Sequence, residues 1–290
     1  MMVVSLYGKI KNSEKIKIKN LKKAVEVARN DDIILLKWSS NEETWNNFGD
    51  ALNPWLFNKI TGKRPVNANS IINFSNRIVY SGIGSILDNN KSKNLIVWGS
   101  GFKKESSIFK EIPLEIRAVR GPLSRNNILK QGIRCPEIYG DPALLLPNYF
   151  KPDVNKTYKL GLIAHYVDKG NKNYKNLISE LNDDVLLIDI QNPVEQVITE
   201  INMCEKIASS SLHGMIVADA YGIPSIQLKF SDNIVGGDFK FKDYMLSVKR
   251  EYRHPIIVNE KTTLNVLQNS FYNYDFDISL DKLLEVCPFV

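Results

Sequence analysis

The chain of 290 residues is poor in the residue types that staple or metallate a fold: it has three cysteines and three histidines. Cys135, Cys204 and Cys287 are odd in number and far apart, with no CxxC pair. That argues against a disulfide framework and a zinc site, so reduced thiols are expected and no metal site is assigned. No apolar run approaches the ~20 residues needed to span a bilayer. The opening stretch 1–15 has too short an apolar segment, and no small-residue cleavage site, for a secretory leader. The cytoplasm is the expected location. Short-period repeats and low-complexity tracts are also missing. Acidic residues are outnumbered, 32 against 38 basic ones, which gives a net charge of +6. The lysines and arginines are scattered, however, and no aromatic-basic RNA motif accompanies them, so nucleic acid is not the expected partner. Anionic small substrates, or an anionic membrane face, suit such a surface better.

What is present is an ordinary globular composition, 43% hydrophobic and 24% charged, in a chain long enough for two domains. Short apolar runs recur with polar or helix-spaced segments between them: 33–38, 77–82, 94–101, 116–121 and 138–146, then 158–166, 185–190, 206–210 and 225–230. They read as buried parallel strands of an alternating α/β protein. The stretch 146–159, with two prolines and scattered polar residues, divides the two series and places the domains at 1–150 and 151–290. The last apolar segment, 279–289, reads as one terminal helix able to pack on either half.

In open α/β sheets, ligands bind beyond the carboxyl ends of the strands, where loops and helix N-termini share a crevice. The unusual residues fall at such ends. Asn47, Gly49 and Asp50 precede a helix in which Pro54 is tolerable only near the start. Gly99 and Gly101 follow the 94–98 run, and backbone without side chains can approach a ligand. Arg120 stands before Pro122, which fits the first helical position, so its guanidinium either covers a helix end or binds an oxyanion there. Asp141 with Pro142 makes an Asp-Pro turn or a site carboxylate. Ser211, Leu212 and His213 lie where a serine-rich loop enters a helix, so His213 either caps or binds in the first turn. His165 closes the 158–166 run at a similar topological place. Lys240 and Lys242 alternate with Phe239, Phe241 and Tyr244 in the pattern of a half-buried strand or extended lip. His254, before a proline, reads as structural.

In this order, the segments NNFGDALNPWLF, VWGSGF, RAVRGPLS, YGDPALLLP, LHGMIVADAYGIPSI and SDNIVGGDFKFKDY resemble the polysaccharide pyruvyl transferase family. The likeness covers about residues 33–248; residues 1–30 and 260–290 carry none that is legible. It implies two Rossmann-like domains facing across a cleft in a GT-B-like arrangement, the second half holding the phosphoenolpyruvate (PEP) side. The implied reaction moves the enolpyruvyl unit of PEP onto a hexose of a bacterial capsular or exopolysaccharide repeat, forming a cyclic ketal and releasing phosphate. PEP is then a donor co-substrate and no further cofactor is implied. By the same resemblance Arg120 and His213 bind the donor, with Gly99, Gly101, Ser211 and Leu212 around it. A donor lysine is implied too, for which Lys229, Lys240 and Lys242 compete and Lys240 is preferred. Asn47, Gly49, Asp50 and His165 fall to the acceptor. His213 is the expected acid, with Asp141 or Asp50 as the base. The acceptor could be carried on a polyprenyl diphosphate, which would bring the basic chain to the inner face of the membrane. A nucleotide-sugar glycosyltransferase on the same architecture is the alternative.

Overall fold

The computed structural model describes residues 25–27, 29–39, 47–71, 77–234 and 236–289. The opening stretch 1–15, read above as lacking a leader, lies outside them. Two five-stranded sheets, parallel throughout, organise the chain. The first is built from β1 (Ile33–Leu36), β2 (Arg64–Asn67), β3 (Val79–Ser81), β4 (Leu95–Trp98) and β5 (Glu115–Ala118), in the order β2-β1-β3-β4-β5. The second takes β6 (Leu160–Ile163), β7 (Val185–Ile188), β8 (Ile207–Ser209), β9 (Ser225–Lys229) and β10 (Ile256–Ile257), in the order β10-β9-β8-β6-β7. Counted from each sheet's own first strand, both orders are 2-1-3-4-5. Each therefore reverses direction between its first and third strands, and a doubly wound sheet opens its ligand crevice at that reversal.

The inner strands are apolar runs because both faces of each sheet are covered there. Along β1, Ile33 and Leu35 enter one buried cluster, whereas Ile34 and Leu36 enter another. The second cluster is common to the two halves. It joins Leu36, Trp98 and the Phe48–Thr61 helix to Ile163, the Val194–Asn202 helix and the Leu212–Ala220 helix.

Two local expectations are corrected, and a third is made definite. The 138–146 run makes an isolated bridge, Val119 to Tyr139, and then a 3-10 helix, Pro142–Asn148, instead of a strand. Asp141 caps that helix through the Ala143 N–H (3.0 Å), and Pro142 and Pro147 have no N–H to give to a ladder. Residues 239–244 are not an extended lip but the start of the Phe239–Ser247 helix, which buries Phe241, Tyr244 and Met245. Its lysines alternate in sequence, while the buried residues follow the three-to-four spacing of a helix face. The terminal helix, Leu280–Glu285, packs on the first sheet: Trp98 Nε1 donates to the Leu283 carbonyl (2.8 Å), and Phe289 meets Tyr80, Phe57 and Trp98.

Candidate active site

A cavity of about 350 Å³ lies where the two reversal points meet. From the first sheet it is lined by Ser39, Asn47, Gly49 and Asp50 after β1, Gly84, Ser85 and Ile86 after β3, and Lys103 after β4. From the second it receives His165, Tyr166 and Val167 after β6, Ser211, Leu212 and His213 after β8, and Asn233 and Ile234 after β9. Lys240, from the helix that follows, completes the wall. Every one of these residues follows a strand's carboxyl end.

His213 sits in the first turn of the Leu212–Ala220 helix, and its Nε2 is buried 3.5 Å from Asp141 Oδ2. Neither atom has another hydrogen-bond partner in the structure. The separation is slightly beyond a direct hydrogen bond, and such contacts commonly tighten when ligand binds. Across the ring lies Gly49, where a Cβ would stand 2.2 Å from the imidazole. The glycine of the NFGD motif is therefore the wall on which His213 rests. Asn47 fixes that turn by accepting the Gly49 N–H (3.0 Å), and Asp50 accepts the Ser39 N–H (2.9 Å).

His165 donates its backbone N–H to Ser210 Oγ (2.8 Å), and its Nδ1 accepts from the Val167 N–H (3.4 Å). Burial first, then the nearby Lys240 and His213, push its pKa down to about 3. It is thus a neutral ring at ordinary pH, with Nε2–H as the donor that remains. Burial, then repulsion from Arg120 and Lys103, brings Lys240 down to about 8, with Asp168 acting against them. The other two lysines weighed for this place are elsewhere. Lys229 pairs with Asp232 (2.7 Å), and Lys242 lies over the Tyr252 ring.

Arg120 does not reach the cavity surface. Its guanidinium is fully buried and bonded to Asp243 Oδ2 (Nε, 3.0 Å), to the Phe102 carbonyl (2.8 Å) and to Ser85 Oγ. The helix mouth beside it is taken as well, because Asp243 accepts from Ser124 N–H (2.9 Å) and Ser124 Oγ (2.6 Å). A carboxylate from another element thus supplies the N-cap that Gly121 cannot. Gly99 and Gly101 also stand outside the cavity lining. A Cβ on Gly99 would meet Pro142 at 2.3 Å, and one on Gly101 would meet the Arg120 guanidinium at 2.5 Å. They make room for the chain's own side chains. Asp141 likewise is behind His213 and not in the lining.

Several site residues escaped the sequence reading. Lys103 carries the second cavity cation, and only the cavity's shape singles it out from its neighbour Lys104. Ser85 joins the wall to Arg120. Asn53, fully buried, clips the Phe48–Thr61 helix to the loop after β3 by donating to Gly49 and Ile83 carbonyls (2.9 and 3.0 Å) and accepting the Ile83 N–H (3.1 Å). The buried Lys37, pushed down to about 7 by burial, donates to the Ile86 carbonyl (2.9 Å) in the same loop. Among the described residues no group of three or more His, Cys, Asp or Glu side chains gathers as a metal site would require. None of their helices is long and apolar enough to cross a membrane.

A family model described as polysaccharide pyruvyl transferase matches residues 4–228. The match begins well before the 33–248 span legible by eye and ends short of it. An uncharacterized protein of Acanthamoeba polyphaga mimivirus is 29% identical over 244 residues, 81% of this chain and 83% of its own length. The succinoglycan biosynthesis protein ExoV of Rhizobium meliloti is 29% identical over 248 residues, 81% of this chain and 72% of its own.

Proposed function

The chain belongs to the polysaccharide pyruvyl transferase family, and from that premise we propose that it transfers the enolpyruvyl unit of PEP to a hexose, as a cyclic ketal, with release of phosphate. One observation carries the reading. Two lysines, Lys103 and Lys240, and two histidines, His165 and His213, converge from both sheets on a single cavity. A donor with a carboxylate and a phosphate needs such a set of cations and donors. In this reading the halves 1–150 and 151–290 act as two domains across a GT-B-like cleft.

The donor's phosphate would lie between Lys103, Lys240 and the amides opening the Leu212–Ala220 helix, where Ser211 and Leu212 stand. His165 would donate its Nε2–H to an oxygen of donor or acceptor. On donor binding Asp141 would close on Nε2 of His213 and accept its N–H, holding the proton on that nitrogen. The mobile proton is then the one on Nδ1.

The reaction starts as that proton passes to the methylene carbon of PEP, leaving an oxocarbenium centre at C2. A sugar hydroxyl bonds to C2 and returns its proton to His213, so one imidazole serves as acid and then base. The C2–O bond to phosphate breaks and regenerates the cationic centre. A second hydroxyl of the same sugar closes the ketal, and the departing phosphate takes its proton. Asp141 thereby becomes the partner of His213 instead of a separate base, while Asp50, in the lining near Asn47, is left to hold the acceptor. Arg120 acts through the wall: it fixes Ser85 and adds positive field near Lys240.

The acceptor is proposed to be a unit of a capsular or exopolysaccharide repeat, carried on polyprenyl diphosphate at a membrane's inner face. Succinoglycan synthesis by the Rhizobium relative fits this acceptor class. Incubation with PEP and lipid-linked oligosaccharides, followed by mass spectrometry, tests the reaction: a ketal mass gain with stoichiometric phosphate release is expected. Binding of a UDP-sugar without binding of PEP would overturn it in favour of glycosyl transfer.

A further inference from the structure

A second cavity, of about 380 Å³, adjoins the first. Asn233 and Ile234 line both cavities, and the neighbouring pairs Lys103–Lys104 and Lys240–Phe241 place one residue in each. Its chemistry differs from that of the first. Two lysines, Lys104 and Lys229, are offset by two carboxylates, Asp232 and Asp238, so the lining has no net charge. The first cavity has two lysines and one carboxylate among its lining residues, and it alone is suited to a multiply charged anion.

The polar groups of the second cavity include both donors and acceptors. Lys229 and Asp232 are paired at 2.7 Å on its rim, and Asp232 is almost wholly exposed. Gln227, 6% exposed, lines the cavity with its amide 3.4 Å from Asp238, and among the described residues Gln227 Oε1 has no hydrogen-bond partner. A buried amide oxygen left over in this way calls for a hydroxyl or a water to satisfy it. Leu228 and Phe241, both buried, supply an apolar floor. A polyol with hydroxyls at its edge and C–H groups on its face matches that lining, whereas an anion such as a diphosphate would meet two carboxylates.

We propose that this second cavity is a subsite for a neutral sugar unit, glycosidically linked to the unit that is pyruvylated, so that the enzyme reads at least a disaccharide. The proposal rests on the reading of the first cavity as the transfer site. Its position requires that the linkage pass over Asn233 and Ile234, the wall the two cavities share.

The test is an array of immobilised hexose mono-, di- and trisaccharides in α and β linkage, exposed to the labelled protein in saturating PEP. Calorimetry with PEP alone runs beside it. At least tenfold stronger retention on some di- or trisaccharides than on every monosaccharide is expected. That preference should vanish in Gln227→Leu and in Asp232→Trp, while PEP binding is unchanged in both. The second variant alters an exposed rim position and so should not disturb folding. Equal retention on mono- and disaccharides, retention unchanged by both variants, or no glycan retained by a PEP-binding protein would each overturn the subsite. Failure of the unaltered protein to bind PEP would instead overturn the transfer reading on which it rests.

Discussion

At the residue scale the proposed chemistry turns on the pair of His213 and Asp141. His213 reaches the cavity, while Asp141 stands behind it, turning Oδ2 to His213 and capping the Pro142–Asn148 helix with Oδ1. His213→Ala should therefore lower the rate of PEP-dependent phosphate release by ~100-fold or more, the size of a lost general acid. Asp141→Asn should lower kcat by ~10-fold or more with the KM for PEP little changed, because the imidazole loses its orientation but not its place. An equal rise in KM would show that Asp141 serves binding instead. Lys240 offers a separate handle. Its charge is present below its pKa of about 8 and is lost as pH rises through that value. The dissociation constant for PEP, followed by calorimetry, should be level just below pH 8 and then climb about tenfold per pH unit above it. Lys240→Met should bind weakly and show no inflection there. His165, held neutral with its pKa near 3, adds no break of its own between pH 5 and 9.

At the scale of the element, the Phe239–Ser247 helix matters most, because it follows β9 of the second sheet yet docks on the Pro122–Leu129 helix after β5. Asp243 makes that docking specific. It satisfies the buried Arg120 and the open N–H of Ser124 at once, and Gly121 lies so close that a Cβ there would be 1.9 Å from the Asp243 carbonyl oxygen. Removing one partner of a fully buried ion pair leaves the other uncompensated. Asp243→Asn is therefore expected to cost about 3–5 kcal/mol in urea unfolding and to weaken PEP binding through the displaced Lys240. A loss under about 1 kcal/mol would mean that Arg120 finds other partners.

This helix also marks where the sequence stops being legible. Nine strands or strand-like runs were readable from apolar length, and eight of them are strands, because doubly covered strands are apolar along their whole length. The ninth, 138–146, looked the same, but its prolines and the Asp141 cap turned it into a 3-10 helix. The edge strands Arg64–Asn67 and Ile256–Ile257 were missed, since an edge needs fewer apolar residues to pair. Among site residues, His165 and His213, just after strand ends, and Gly49, at the start of a helix, were recognisable from position. Lys103 was not, because its distinction from Lys104 exists only in three dimensions. Arg120 was placed correctly in the chain and wrongly in space: nothing near it in sequence announces Asp243, 123 residues away.

At the scale of the molecule, the two sheets are tied together three times, by the common apolar cluster, by the Phe239–Ser247 helix docked through Asp243 on the first half, and by the chain's end. After the second sheet is complete, the Leu280–Glu285 helix returns to the first, where Leu283 takes the Trp98 indole N–H and Phe289 stands 4.5 Å from the Tyr80 ring centre. The chain beyond about residue 278 is thus a strap from one half to the other. If the strap stabilises the first half, Phe289→Ala should cost about 2 kcal/mol, less than the 3–5 typical of a fully buried phenylalanine because this ring is only partly covered. Position makes a sharper test available. All four tryptophans precede residue 99, so their fluorescence reports the first half and its contacts, while far-ultraviolet dichroism reports helices and strands of both. In the full chain the two urea transitions should coincide, as a shared core demands. In a chain ending at residue 277 the fluorescence midpoint should fall below the dichroism midpoint, because Trp98 and Phe57 lose their cover and the second sheet does not. Coincident midpoints in the shortened chain would mean that the common cluster and the Phe239–Ser247 helix couple the halves, leaving the strap no part in holding them together.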